Sequence, residues 1–197
     1  VSDLFREPDG ATPLGPGERE GLLQSWITTR NDLNEAEQEN ILKGAAWARR
    51  AGRAVARLLT VDFALLLHRR MFGEVWRWAG TYRLTERNIG IAVHRIPSET
   101  PPPFDDARYW VDHATYPPDE IAVRLHHRLV AIHPFPNGNG RHARLMADLL
   151  LERLEGQTFS WGGGSLTDVG ALRAAYVAAL RAADNHDVAP LVRFARG

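Results

Sequence analysis

His133-Pro134-Phe135-Pro136-Asn137-Gly138-Asn139-Gly140-Arg141-His142-Ala143-Arg144 decides how this chain is read. The run places a candidate base, a carboxamide, two glycines and two arginines ahead of an amphipathic stretch. Leu145, Met146, Leu149, Leu150 and Leu154 recur at helical spacing, and Gly156 supplies a stop. A glycine-rich turn that opens a helix is an anion site, because its backbone N–H groups point outward and the macrodipole favours negative charge there. Arg141 and Arg144 are spaced to project from one face of the first turn, and arginine grips phosphate oxygens with a two-pronged fork. His133 precedes the turn, where a ring nitrogen can take a proton near neutral pH. The string is neither a Walker loop nor a dinucleotide fingerprint: no GxxxxGK[ST] or GxGxxG occurs.

The rest of the composition narrows the reading. A chain of 197 residues fits one domain with a small appendage, and 44% hydrophobic residues with six tryptophans supply a core. Twenty-four basic residues balance twenty-four acidic ones, which argues against broad nucleic-acid or anionic-membrane binding. The absence of cysteine excludes disulfides and thiolate zinc sites. No apolar run reaches the roughly 18 residues of a membrane span, and the first residues do not read as a signal peptide. The expected location is the cytoplasm.

Residues 1–17 read as an extended Pro/Gly-rich arm. Helices are expected over Glu18–Trp26 and from about Asn31, capped by Asn31 or Thr29, to Arg50. Another is expected after Thr60, burying Phe63, Leu66, Leu67 and Met71, and a short one over Glu74–Trp78. Residues 81–98 carry the strand signal, with Tyr82, Ile89, Ile91, Val93 and Ile96 as β-formers and Asn88 and Gly90 as turn residues. Pro101–Pro103 read as a break before a helix marked by Phe104, Ala107, Trp110 and Val111. A further helix after Pro117-Pro118 must end about His133, because Pro134 follows. Beyond a Gly162–Gly164 joint, Ser165 or Thr167 is expected to start a helix, and Pro190 the last one. His126 and His127 read as packing or solvent residues rather than metal ligands, since no HExxH occurs, and His142 reads as facing solvent.

The quoted run resembles the Fic family signature, HxFx[D/E]GNGRxxR. His133, Phe135, Gly138, Asn139, Gly140, Arg141 and Arg144 match, and Asn137 replaces the acidic residue. Phe72–Arg83 is similar to the segment leading into that family's β-hairpin flap, and Asn88–Pro97 to the flap. Asn185–Leu191 is similar to its closing segment. Ile27-Thr28-Thr29-Arg30 is similar to the subgroup called mobile mystery protein B. The resemblance implies an all-α, Fic-like helical bundle with one small β-hairpin flap. Residues 18–197 would form one domain, with a core of about 60–195 and the helices of 18–57 packed on it.

The resemblance implies a protein adenylyltransferase, moving AMP from ATP to a Ser, Thr or Tyr hydroxyl of a target protein. His133 would be the base. Gly138, Asn139 and Gly140 would cradle the anion, with Asn139 on the α-phosphate and Arg141 and Arg144 on the outer phosphates. Phe135 would anchor the turn in the core. Mg²⁺, or Mn²⁺, would be the cofactor, with Asn137 at the family's ligand position. An amide oxygen brings no charge to a hard cation. Three readings stay open: Mg²⁺ held through nucleotide phosphates and water, slow turnover, or other chemistry. Asp32, then Glu35, are the candidates for an inhibitory carboxylate reaching Arg144, and a separate antitoxin-like partner is compatible with the family. Tyr176 and Asn185 stand by family position where an adenine pocket would lie, or are ordinary packing and capping residues. The alternatives to an enzyme are a nucleotide-binding regulatory module and a protein-interaction domain docking peptides along its flap.

Overall fold

The computed structural model describes Leu4 and residues 15–51, 54–163 and 169–197. Among them are ten α-helices: α1 (Pro16–Arg19), α2 (Arg30–Arg50), α3 (Val55–Leu58), α4 (Val61–Phe72), α5 (Ile96–Glu99), α6 (Pro101–Asp112), α7 (Pro118–Ile132), α8 (Asn139–Glu155), α9 (Val169–Asp184) and α10 (Ala189–Arg196). The expected helical bundle is present. Helix α8 lies at its centre, packed chiefly on α7 and also on α2, α3 and α4. It buries Ala143, Leu145, Met146, Ala147, Leu149, Leu150 and Leu151, so apolar groups nearly encircle it. That is the pattern of a core helix, and each buried Leu contributes about 1.5–3 kcal/mol.

Local signals set several boundaries. Thr29 caps α2 by accepting from the Asp32 N–H at 3.2 Å, and Asp32 answers by accepting from the Thr29 N–H at 2.8 Å. Thr60 caps α4 through the Phe63 N–H, 3.2 Å away. Helix α8 ends at Gly156 with φ 73°. Pro101–Pro103 do not break the chain. They occupy the first turn of α6, where a missing N–H costs nothing.

Other expectations are corrected. The helix expected over Glu18–Trp26 stops at Arg19, because Leu23 turns away to donate its N–H to the Val75 carbonyl at 2.9 Å. Glu74–Trp78 is a series of turns, with Trp76 bridged to Leu22. Leu66 is exposed. Pro16 and Gly17 belong to α1 rather than to an arm; residues 1–3 and 5–14 lie outside the described residues, as do Ser165 and Thr167.

Residues 81–98 form no strand ladder. The Arg83 N–H donates to Pro134 O at 2.8 Å and the Ile91 N–H to Ile132 O at 3.3 Å, so both arms bond the end of α7 rather than each other. The Arg83 guanidinium, fully buried, donates to the carbonyls of His133 (2.7 Å), Thr85 (2.9 Å) and Ile91. The Thr85 and Ile91 carbonyls are acceptors that a hairpin would have used. The segment closes with a 3₁₀ turn, Val93–Arg95, leading into α5.

Three histidines are core residues: His126, read as packing or solvent, His142, read as facing solvent, and His68, left unread. His68, His126 and His142 are buried. Burial holds the His126 pKa at about 3 and that of His142 at about 4, and pushes His68 well below its usual value. Each is neutral in the native state, whereas its unfolded pKa is about 6.5. Below that value the unfolded chain binds more protons, so stability is complete above pH ~6.5 and is lost as pH falls through the folded pKa values. Each group adds a slope of up to about 1.4 kcal/mol per pH unit. Thermal melts should show Tm dropping steeply between pH 6.5 and 4; a flat Tm across that window contradicts neutral burial.

Candidate active site

The turn between α7 and α8 is set by its own residues. His133 ends α7 in the left-handed conformation, φ 55°. Gly138 is also left-handed, φ 78°, and a Cβ there would lie 2.6 Å from Phe72. Only glycine meets both demands. Asn139 accepts from the Phe135 N–H at 2.9 Å and donates to the Phe135 carbonyl at 2.8 Å, while 3% exposed. Its side chain is therefore bonded at both its oxygen and its nitrogen to the turn itself. Phe135 is buried and stacks on His68 with ring centroids 3.7 Å apart. The His68 Nδ1 accepts from the Gly80 N–H at 2.9 Å, so its proton sits on Nε2 and is donated to the Asn137 carbonyl at 3.0 Å. His142, expected at the surface, bonds the Ala64 carbonyl at 2.9 Å instead.

The residues expected to cradle an anion, Gly138, Asn139 and Gly140, stand at the open end of α8. His142 is the first residue whose N–H finds an i−4 carbonyl, Gly138 O at 2.9 Å. By helix geometry the N–H groups of Asn139, Gly140 and Arg141 face outward. Gly140 is informative because a Cβ there meets nothing within 4 Å. Glycine in a helix costs about 1 kcal/mol relative to alanine, and no neighbour among the described residues requires one.

The arginines are held by different helices. Arg141 Nη1 donates to Glu37 Oε2 at 2.6 Å and Nη2 to Asn137 Oδ1 at 3.3 Å, with the guanidinium 4.9 Å from the Phe72 ring centroid. Arg144 lies over the Tyr176 ring, 5.5 Å from its centroid, and Tyr176 meets His126 Nε2 at 3.0 Å. Asn185 donates to the Arg181 carbonyl at 2.8 Å, an ordinary helix-end contact. Asp32 and Glu35 reach neither arginine. Asp32 is spent on the N-terminal cap, whose backbone donors lower its pKa, and Glu35 accepts from Asn31 at 2.7 Å on the exposed side. Glu37 was legible as the inward carboxylate, because it shares the buried stripe of Leu33, Ala36, Asn40 and Gly44.

His133 is 7% exposed, and its pKa is lowered to about 4, first by burial and then by the Arg83 charge. It is neutral at pH 7. A neutral imidazole carries a proton on one nitrogen and a lone pair on the other, the acceptor that a base needs. Segment 81–92 presses on it, and nothing in the sequence of Arg83 marked that role.

The donor set at position 137 does not make a metal site by itself. Asn137 Oδ1 already accepts from the Gly138 N–H at 2.5 Å and from Arg141, and carries no charge. Among the described residues no group of three metal-ligating side chains occurs.

Gly90 has φ +89°, and a Cβ there would lie 2.5 Å from His133 Cβ. Gly90→Ala should displace the segment from His133, lowering stability by about 1–3 kcal/mol and reducing any activity that uses His133. Unchanged melting and activity would show that the contact is dispensable.

Comparison with known proteins agrees with this arrangement. Residues 58–151 match the sequence model of the Fic/DOC family. The chain is 31% identical over 140 residues to the protein adenylyltransferase fic-1 of Caenorhabditis elegans, covering 69% of this chain and 26% of that protein. It is 34% identical over 99 residues to the protein adenylyltransferase Fic of Nematostella vectensis, covering 48% and 23%. The chain thus spans about a quarter of the length of these relatives. A Fic-domain signalling protein of Bacteroides thetaiotaomicron shares the fold with a TM-score of 0.66 at 23% identity, covering 80% of this chain and 66% of that one. Fic-1 of C. elegans superposes with a TM-score of 0.59 at 27% identity, covering 90% and 56%. The chain belongs to the Fic/DOC family.

Proposed function

We propose that the protein is an adenylyltransferase that transfers AMP from ATP to a Ser, Thr or Tyr hydroxyl of a target protein. The observation that carries this reading is Gly140, against which no described residue packs, at an outward-facing helix end, with a neutral histidine at the other end of the same turn. The relatives' name, protein adenylyltransferase, supports the reaction class.

In this reading the N–H groups of Asn139, Gly140 and Arg141 hold phosphate oxygens, and Arg141 and Arg144 neutralise the outer phosphates. His133 takes the proton of the target hydroxyl. The hydroxyl oxygen bonds to the α-phosphorus, and the bond from that phosphorus to the oxygen bridging the β-phosphate breaks. Pyrophosphate leaves with the electron pair. Positioning and charge stabilisation supply most of the rate in such transfers.

Mg²⁺ or Mn²⁺ belongs to the proposal as a companion of the triphosphate rather than as an ion held by the chain, since Asn137 offers one uncharged oxygen already in use. The same feature supports the second reading, a nucleotide-binding regulatory module of weak activity. The Glu37–Arg141 contact supports treating residues 18–197 as one domain, because a side chain of α2 reaches the site. No helix among the described residues is long and apolar enough to cross a membrane. A cytoplasmic location rests on the sequence reading alone, and an antitoxin-like partner on the family resemblance alone.

Incubation with ATP labelled at the α- or γ-phosphate tests the reaction. Label should reach protein only from the α-position. His133→Ala should reduce transfer by about 10²–10⁴-fold while ATP affinity stays within a few fold. Transfer of the γ-label, or undiminished transfer by His133→Ala, would overturn the assignment.

A further inference from the structure

Glu37 is a buried carboxylate that enters the site from a helix remote in sequence. Its two oxygens have different partners. Oε1 accepts from the Trp76 indole N–H at 2.7 Å, and Oε2 from Arg141 Nη1 at 2.6 Å. The Glu37 side chain is 8% exposed, whereas that of Arg141 is 36% exposed. The carboxylate therefore meets the inner edge of the guanidinium, and the outer edge faces solvent.

We propose that Glu37 is a positioning residue for phosphate binding: with Trp76 behind it, it fixes Arg141 so that the outer edge of the guanidinium faces the cradle at Gly140. Three constraints converge on that side chain. Glu37 fixes Nη1, Asn137 Oδ1 fixes Nη2, and the Phe72 ring lies 4.9 Å from the guanidinium. A guanidinium has more N–H donors than these two acceptors use, so the pair leaves donors for an anion. An arginine held in advance loses less side-chain freedom when the anion arrives.

The alternative role for such a carboxylate is a brake that occupies the phosphate position. The geometry disfavours it. Oε1 is anchored to Trp76, itself 1% exposed, so the carboxylate sits in the core where no phosphate enters. Arg144 rests on Tyr176 rather than against a carboxylate. Glu37 and a phosphate thus take opposite edges of Arg141 and do not compete.

The inference rests on the phosphate-site reading above, and the test separates the two. Binding of ATP, inorganic triphosphate and adenosine is measured for the parent, Glu37→Gln, Arg141→Ala and the double variant. Gln keeps an oxygen for Trp76 but loses the charge toward Arg141. Glu37→Gln should weaken ATP and triphosphate binding about ten-fold or more, since a hydrogen bond to a charged group is lost, and leave adenosine unchanged. In the Arg141→Ala background it should cause no further loss, because Glu37 acts through Arg141. Tighter ATP binding or raised self-modification in Glu37→Gln would make it a brake. An equal loss in both backgrounds would make it merely structural, and no loss would remove it from the site. Trp76→Phe provides the second variant if Glu37→Gln does not fold. It should weaken ATP binding and spare adenosine, and an unchanged ATP affinity counts against the proposal. A parent that binds ATP no better than adenosine would refute the phosphate site itself.

Discussion

Two hydrogen bonds between the Asn139 carboxamide and the backbone of Phe135 hold the site together. They close the turn between α7 and α8 on itself, within the core and out of reach of water. A buried amide left unpaired costs about 1–3 kcal/mol, so the turn is not free to open. Everything functional hangs from that closure. It places His133 at one lip and the open end of α8 at the other. It also aims the Asn137 carbonyl at His68, which ties the turn to α4. The motif's asparagine is thus bonded into the turn that carries the candidate site.

Around that turn the core is polar by design of its partners rather than uniformly apolar. His68, Arg83 and His142 each bond backbone carbonyls that would otherwise be buried without a donor. His68 and His142 connect α4 to the turn and to α8. Arg83 connects the segment after Gly80 to the end of α7. The arginine positions are likewise defined from outside α8: Glu37 of α2 meets Arg141, and Tyr176 of α9 lies beneath Arg144. The site is a property of the bundle, and the short motif alone does not build it.

The helices of the bundle were legible because their signals are local. Thr60, Gly156 and Pro190 carry cap and start chemistry, and Leu145 to Leu151 carry the period of a buried helix. The turn of the site was legible for the same reason. Its connections were not. Residues 81–98 have strand composition, yet the Thr85 and Ile91 carbonyls accept from the Arg83 guanidinium and the Arg83 and Ile91 N–H groups donate to carbonyls at the end of α7, contacts set by tertiary packing. His142 looked like a surface residue because its sequence neighbour Arg141 faces outward, but one step along a helix turns a side chain by about 100°. Asp32 was the first candidate for an inhibitory carboxylate, but it is the natural cap of α2. Glu37, on the buried stripe, is the acidic residue that the packing selects.

The central claim is that the first turn of α8 receives phosphate oxygens through its backbone. Amide chemical shifts of the ¹⁵N-labelled protein, titrated with ATP, inorganic triphosphate and adenosine, test it most directly. The account predicts that the Asn139, Gly140 and Arg141 amide resonances move with both phosphate ligands and stay in place with adenosine. Amides in this turn that ignore triphosphate, while others elsewhere in the chain respond, would contradict it.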